Sequence, residues 1–376
     1  MTLLRHQPLK AIYVLLVLGV ELIRLPFLIL KYLSRKGRPH PDWTFRQALA
    51  TRIVSSFILH FSLVQGKSPI PLAPGAEKER FVRIKPAASD LYKGPLRSNN
   101  NVQPVEIGAT WYPRPLSAAE DKSSVKVMLH IHGGGFVLGD GRTQSNSYFA
   151  RLVDKHMRCT HVLMPQYRVS TLPASKTSNP FPAAIQDTLT AYLYLLNDLH
   201  IAPENIVLSG DSAGGNASIA LLRYIAEFGS EMSLPAPGAA LLWSPWINPS
   251  DNSGSFVYDN PHYHTDYICK PFTKWGTAAY AGPAGQAVLS NLYVNHKNRM
   301  FKTPVPLWVN TGEAEVLFFD DCEWAEKMRD AGNHVTLDVE KKAPHDVMMI
   351  ANLLGFHAEA KACAERAGEW LTAMTQ

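Results

Sequence analysis

From residue 125 onward, short unbroken apolar runs alternate with longer stretches whose apolar positions recur every three or four residues. The runs predict strands near 125–131, 161–167, 205–210, 238–243, 304–310 and 334–340. The amphipathic stretches predict helices near 181–198, 213–227, 318–331 and 355–374. Alternation of this kind fits an α/β fold, a mainly parallel sheet wrapped by helices. No internal repeat is visible.

The N-terminal pattern differs. Ala11 to Leu30 is continuously apolar apart from Glu21 and Arg24, with Lys10 before it and Lys31 after it. Twenty residues span a bilayer, and the apolar side chains outweigh two charges costing about 2.5–3.5 kcal/mol each at the centre, since the pair can meet or snorkel. The following Lys31-Tyr32-Leu33-Ser34-Arg35-Lys36 offers no small-residue cleavage site, so a retained signal-anchor is expected, or failing that an interfacial helix. The flank Lys31, Arg35, Lys36 and Arg38 outweighs Arg5 and Lys10, an asymmetry that puts the remainder of the chain on the cytosolic face. Trp43 to Val64, with Arg46, Arg52 and His60 at helical spacing, reads equally as a membrane-surface helix or a lid helix.

Composition narrows the classes. The 376 residues are 46% hydrophobic and 18% charged, enough for one large globular core. The net charge of +5 is concentrated near the N-terminus rather than in an aromatic-studded basic patch, which favours membrane contact over nucleic acid. Cys159, Cys269, Cys322 and Cys363 are widely separated, so neither a zinc motif nor a disulfide framework is indicated and both redox environments stay open.

The chemistry centres on Gly210-Asp211-Ser212-Ala213-Gly214, placed between an expected strand and an expected helix. Small residues two before and two after Ser212 let the chain turn tightly and expose the hydroxyl, a nucleophile elbow. Upstream, His132-Gly133-Gly134-Gly135 also follows an apolar run, as backbone N–H groups approaching a substrate oxygen require. A dinucleotide loop at Gly133 to Gly139 fails because the last glycine is one place late. A serine needs a base, and the base needs a carboxylate. Glu313, Glu315, Asp320 and Asp321 crowd the end of the strand near 304–310, and His345 lies in a loop beyond the last strand. The order serine, acid, histidine excludes the chymotrypsin arrangement.

Other polar groups read as structural. His262, His264 and Asp266 alternate like metal ligands, but no further histidine or thiolate accompanies them, so a polar loop is expected and no metal. His130 alternates with His132 along a strand and is expected to pack. The sequon at Asn216 falls on a helix expected to be buried and is not expected to carry glycan.

These motifs, with Phe136, Tyr167-Arg168, Phe181-Pro182-Ala183-Ala184, Asp187 and Ser244-Pro245-Trp246, make residues 105 to 375 similar to the hormone-sensitive-lipase or arylacetamide-deacetylase branch of the α/β-hydrolases. The resemblance implies Ser212 as nucleophile, His345 as base, and the N–H groups of Gly134, Gly135 and Ala213 as oxyanion donors, with Gly133 able to replace one of them. The family acid is usually an aspartate two before a leucine; Glu315 holds that place before Leu317, with Asp320 as second choice. Asp321 and Glu313 then serve the start of a helix, while Asp211 and Asp346 fix loops. Val169-Ser170-Thr171-Leu172 departs from the usual Leu-Ala-Pro-Glu and reshapes one pocket wall.

The implied organisation is an anchor over 1–36, a lid and N-terminal extension over 37–104, and a catalytic domain over 105–376 with a lid insert near 250–303. Tyr258, Tyr263, Tyr267, Phe272, Trp275 and Tyr280 in that insert either line an apolar pocket or pack a small domain. The expected activity is hydrolysis of carboxylic esters of an apolar substrate, acetylated lipids or sterols among them, with no cofactor. Alternatives are an acyltransferase or amide deacetylase with the same triad; a binding module would have lost a triad member. Relatedness to deacetylases suggests a single-pass endoplasmic reticulum protein. Many of those face the lumen, against the charge asymmetry, so the side stays open.

Overall fold

A computed structural model describes residues 2–66, 71–97, 102–117, 119–251 and 257–374. Eight strands form one sheet: β1 (Phe81–Ile84), β2 (Ile107–Tyr112), β3 (Val127–Ile131), β4 (His161–Gln166), β5 (Ile206–Asp211), β6 (Ala239–Trp243), β7 (Leu307–Gly312) and β8 (Val335–Glu340), in the spatial order β1-β2-β4-β3-β5-β6-β7-β8. β2 runs antiparallel to β1 and β4, and every pairing from β4 to β8 is parallel. The expected α/β class and mainly parallel sheet are therefore borne out.

The six expected strands all form; β1 and β2 lie outside that expectation. β1 is a short edge strand with Arg83 facing outward, and β2 contains Gly108, so neither carries a long apolar run. The helices are α1 (Leu9–Leu33), α2 (Phe45–Val64), α3 (Thr143–His156), α4 (Ala183–Leu193), α5 (Ser212–Met232), α6 (Lys270–Ala281), α7 (Phe318–Asp330), α8 (Val347–Leu354) and α9 (His357–Met374). The expected helix near 181–198 ends its α-helical part at Leu193 and closes in a π-helical turn over Tyr194–Asp198. α3, α6 and α8 have no counterpart among the expected helices.

β3 sits at the point where the strand order reverses, with β4 on one side and β5 on the other. Such a reversal leaves a crevice at the strands' carboxyl ends, where open α/β sheets hold ligands. Register pairs Ile131 with Gly210, so the chain leaving β3 emerges beside the chain leaving β5.

α1 exposes much of its apolar surface, with Leu16, Ile23 and Phe27 more than 60% exposed, and none of its most apolar window is buried. By length and composition it can cross a membrane. α2 starts at a capping box in which Thr44 and Gln47 satisfy each other's backbone N–H groups. It packs on α1, α6 and α8. Stretches 67–70 and 98–101 of the expected extension and 252–256 of the expected insert lie outside the described residues.

The loop after β4 is tied to α4 by a buried ion pair. Arg168 approaches the fully buried Asp187 through Nη2 at 2.7 Å and Nε at 2.9 Å, and its backbone N–H donates to the same carboxylate at 2.8 Å. Removing one member of such a pair strands the other charge. Asp187→Ala is expected to lower the unfolding free energy by about 3–5 kcal/mol, read from the midpoint of denaturant unfolding; a loss below about 1 kcal/mol, the range of exposed pairs, would show that Arg168 finds water instead.

Candidate active site

β5 ends at Asp211 and α5 begins at Ser212, which has φ +50°. A serine in the left-handed region costs on the order of 1–3 kcal/mol and persists only where its surroundings fix it. Here they do. A Cβ on Gly214 would fall 1.9 Å from the Ile131 carbonyl oxygen, so the first turn of α5 lies against the end of β3 with no room for a side chain.

The turn brings Ser212 Oγ within 3.0 Å of His345 Nε2. His345 comes from the loop between β8 and α8 and is almost wholly buried. Beyond it, Glu315 Oε2 lies 3.5 Å from His345 Nδ1, somewhat beyond hydrogen-bond length, as is common before a substrate tightens a site. Thr311 Oγ1 donates to Glu315 Oε1 at 2.8 Å and Ser244 Oγ donates to Oε2 at 2.7 Å, holding the carboxylate at the end of β7. Asp320 is elsewhere: on α7, its Oδ1 is paired with Lys297 Nζ at 2.7 Å.

The glycine loop after β3 faces the elbow. Gly133 was expected as a substitute oxyanion donor, but its N–H donates to Asp211 Oδ1 at 2.8 Å and is committed there. The N–H groups of Gly134, Gly135 and Ala213 meet no protein acceptor among the described residues. Gly134 adopts φ +102°, a conformation that only glycine takes without strain. Behind the loop, His130 Nε2 lies 3.1 Å from Asp211 Oδ1, its Nδ1 lies 3.0 Å from Ser209 Oγ, and Trp243 Nε1 donates to that hydroxyl at 3.0 Å. His130 is thus packed, as expected, but within a polar chain that runs from β6 through β5 to the glycine loop.

Asp346 has a contact that its position in the sequence did not reveal. Its backbone N–H donates to Ser244 Oγ at 3.2 Å, consistent with fixing the loop, yet its Oδ2 also lies 3.0 Å from His345 Nε2, the nitrogen that faces Ser212. Burial alone would lower the His345 imidazole, but the carboxylates of Asp346 and Glu315 reverse this and hold it well above the ordinary histidine range. Burial also pushes the Asp346 carboxyl well up, against the opposing pull of the His345 imidazole. Burial would raise Glu315 too, but the interaction with the nearby His345 imidazole, helped by the Ser244 hydroxyl, prevails and keeps it below the usual range. Asp321, wholly buried beside Glu315, is driven well up by burial and by that neighbouring charge.

A cleft of about 330 Å³ opens over Ser212 between the glycine loop, Tyr267, Phe272 and Met349. A far smaller space of about 10 Å³, also lined by Ser212 and His345, is bordered by Gly135, Trp246, Ile268, Phe272, Thr273 and Leu317. The insert aromatics divide between the two expected roles. Tyr267 and Phe272 line the cleft; Tyr280 stacks on Phe136 at 3.7 Å, Trp275 meets Phe61 at 6.2 Å, and Tyr258 lies edge-on to Tyr263 at 5.2 Å. Asp266 accepts the backbone N–H groups of Tyr267 at 2.6 Å and Val316 at 2.7 Å, tying the insert to the Glu315 loop. The Asn216 amide is buried and donates to the carbonyls of Trp246 and Val294, both at 2.8 Å.

Comparison with known proteins gives a consistent picture. A family model described as alpha/beta hydrolase fold matches residues 128–349. An AB hydrolase superfamily protein of Schizosaccharomyces pombe is 27% identical over 60% of this chain and 64% of its own. An acetyl-hydrolase of Streptomyces hygroscopicus is 32% identical over 33% of this chain and 36% of its own. Steryl acetyl hydrolase 1 of Saccharomyces cerevisiae is 24% identical over 62% of this chain and 56% of its own. The chain thus spans less than two thirds of each of these relatives. Among solved structures, a variant of the esterase E40 superposes with a TM-score of 0.58 at 26% identity, covering 86% of this chain and 92% of that one. An esterase from the bacterial hormone-sensitive lipase family gives 0.59 at 24% identity, covering 94% and 98%, a likeness of fold.

The elbow's packing is open to a direct check. Gly214→Ala forces its new methyl against the backbone of β3 and is expected to cost about 1–3 kcal/mol of stability while carrying Ser212 Oγ away from His345. Thermal unfolding and the rate at which a fluorophosphonate labels Ser212, measured on one preparation, should both fall. Wild-type values for both would mean that the elbow does not depend on this contact.

Proposed function

The chain belongs to the alpha/beta hydrolase fold family, and on that premise we propose that it is a carboxylic ester hydrolase acting by acyl transfer through Ser212. His345 Nε2 accepts the hydroxyl proton as Ser212 Oγ attacks the ester carbonyl. Glu315 holds the imidazole in the tautomer with its proton on Nδ1 and stabilises the imidazolium that forms. The N–H groups of Gly134, Gly135 and Ala213 receive the oxyanion; donors preorganised where charge develops are worth about 2.7–4 kcal/mol each. His345 then returns its proton to the leaving alcohol, and water repeats the sequence to release the acid. The observation that carries this reading is the 3.0 Å contact between Ser212 Oγ and His345 Nε2.

The two spaces beside Ser212 support a short acyl group and a larger alcohol. The space bordered by Trp246 and Leu317 suits a small acyl group, whereas the neighbouring cleft is more than an order of magnitude larger in volume. Two relatives carry acetyl hydrolysis in their names, one of them on steryl esters. We therefore take the substrate to be the acetyl ester of an apolar alcohol. α1 serves as a single-pass anchor of a membrane such as the endoplasmic reticulum, and α2 and α6 form the lid over the cleft.

A fluorophosphonate probe should label the native chain and fail on Ser212→Ala; label retained on Ser212→Ala would move the nucleophile elsewhere. Glu315→Gln is expected to lower kcat by about 10³–10⁴-fold, against no more than a few-fold for Asp320→Asn. The reverse ranking would reassign the acid.

The pH dependence follows from the pair on Nε2. A base works only when deprotonated, so holding His345 above its ordinary range places the acidic limb of kcat/KM at high pH. Asp346→Gly suits the left-handed backbone at that position, φ +53°, and removes one carboxylate. The limb should then move to lower pH by a unit or more, about 1.4 kcal/mol, with activity near neutrality rising. An unmoved limb would mean that the Asp346 carboxylate does not raise the imidazole.

A further inference from the structure

A second cavity, of about 430 Å³, lies between α1 and α2, apart from the site over Ser212. Its volume is in the range of small-molecule sites. Val14, Val17 and Leu18 of α1 face Ile53, Phe57 and Phe61 of α2 across it, so its walls are almost entirely apolar. The outer face of α1 is exposed and apolar, so what enters this slot comes from a hydrocarbon phase.

Polar groups meet at one place in that slot. Glu21 Oε1 accepts from Ser56 Oγ at 2.7 Å and from Arg24 Nη1 at 3.0 Å, with His60 Nε2 3.7 Å away and Tyr13 OH 2.6 Å from His60 Nδ1. These groups answer one another. Arg52 lines the same cavity, but among the described residues its guanidinium makes no hydrogen bond or ion pair. Ionisable groups facing an apolar slot between membrane-active helices are costly and mark ligand sites. The planar guanidinium fork matches a carboxylate through two parallel hydrogen bonds.

We propose that the slot between α1 and α2 binds a long-chain fatty acid, its carboxylate on Arg52 and its chain along the apolar walls. Two guanidinium groups, Arg24 and Arg52, act on the single Glu21 carboxylate, so the three together carry one net positive charge, and a monoanion balances it. A headgroup carrying two negative charges would meet repulsion from Glu21. The slot is a single channel between two helices, suited to one chain. α2 is also the wall shared with the catalytic cleft: Ile58 on its other side lines that cleft, and Phe61 touches Trp275 of α6, which in turn touches Phe272 above Ser212 at 6.5 Å. The site does not depend on the acyl-transfer reading, and binding can be measured with Ser212 replaced.

The test uses the full chain in detergent micelles and a photoactivatable, alkyne-tagged palmitate. Crosslinks should map to peptides from 9–33 and 45–64, compete with excess palmitate, and resist methyl palmitate. They should also appear unchanged in Ser212→Ala. Arg52→Gln should weaken binding at least tenfold while leaving fluorophosphonate labelling of Ser212 intact, and Leu18→Trp, which fills the slot, should do the same. Equal competition by methyl palmitate, or full binding in Arg52→Gln, would overturn the proposal, as would preferential competition by phosphatidylglycerol, which would make the occupant a phospholipid. Loss of fluorophosphonate labelling in native protein with palmitate crosslinking intact would remove the esterase reading and leave this one standing.

Discussion

The parallel pairing of β3 with β5 is the constraint on which the site depends. Ile131 lies beside Gly210 in the sheet, so the two chains that leave those strands are side by side with their N–H groups and side chains directed at one volume. In the proposed reaction neither motif serves alone: the glycine loop would supply donors without a nucleophile, and the elbow a nucleophile without a full set of donors. Asp211 joins them, as the last residue of β5 and the acceptor of the Gly133 N–H. Because that oxygen also faces His130, the loop conformation is set from inside the sheet rather than by solvent. This explains why Gly133 is unavailable as a donor: its N–H holds the loop in the shape that leaves those of Gly134 and Gly135 free.

Strain at Ser212 belongs to the same arrangement. A left-handed serine relaxes unless its neighbours leave no alternative, and the contact of Gly214 with the Ile131 carbonyl leaves none. Stability from the buried sheet holds an unfavourable backbone in place, and Ser212, though largely buried, lines the cleft as a result. Another left-handed residue, Asp346 at φ +53°, lies at the start of α8 beside the same cleft. Ser212 and Asp346 therefore flank the one imidazole, and each places a side chain on its Nε2.

The sequence made the sheet and the pairing of Ser212 with His345 legible because each rests on a local signal: an apolar run, small residues around a turn, a histidine beyond a last strand. Glu315 was legible only by its place before Leu317; the end of β7 brings its carboxylate to 3.5 Å from the imidazole, while Lys297 pairs with Asp320. What stayed hidden was contact between segments distant in the chain. Nothing in Ala343-Pro344-His345-Asp346 says that the aspartate folds back onto Nε2, since that requires the left-handed turn. Nor does any pattern near Ser209 announce that its hydroxyl joins Trp243 to His130. β1, β2 and α3 were missed for the opposite reason: their apolar positions are too few to stand out, and they form because the neighbouring strands give them a surface to cover.

The electrostatics of the site follow from how few countercharges it contains. Glu315, Asp321 and Asp346 are all buried near His345, and no lysine or arginine is paired with any of them among the described residues. Buried carboxylates without cations must take protons or hydrogen bonds. Asp321 and Asp346 are pushed toward the protonated state, while Glu315, which has two hydroxyl donors and the imidazole, keeps its charge. The division is physical rather than positional: the carboxylate with the most donors remains ionised, and that one faces Nδ1. His345 is thus the main partner that keeps Glu315 charged against burial, and the Ser244 hydroxyl adds to it, so the imidazole and this carboxylate favour each other's charged forms while the neighbouring acids, lacking such a partner or crowded by like charge, are driven the other way.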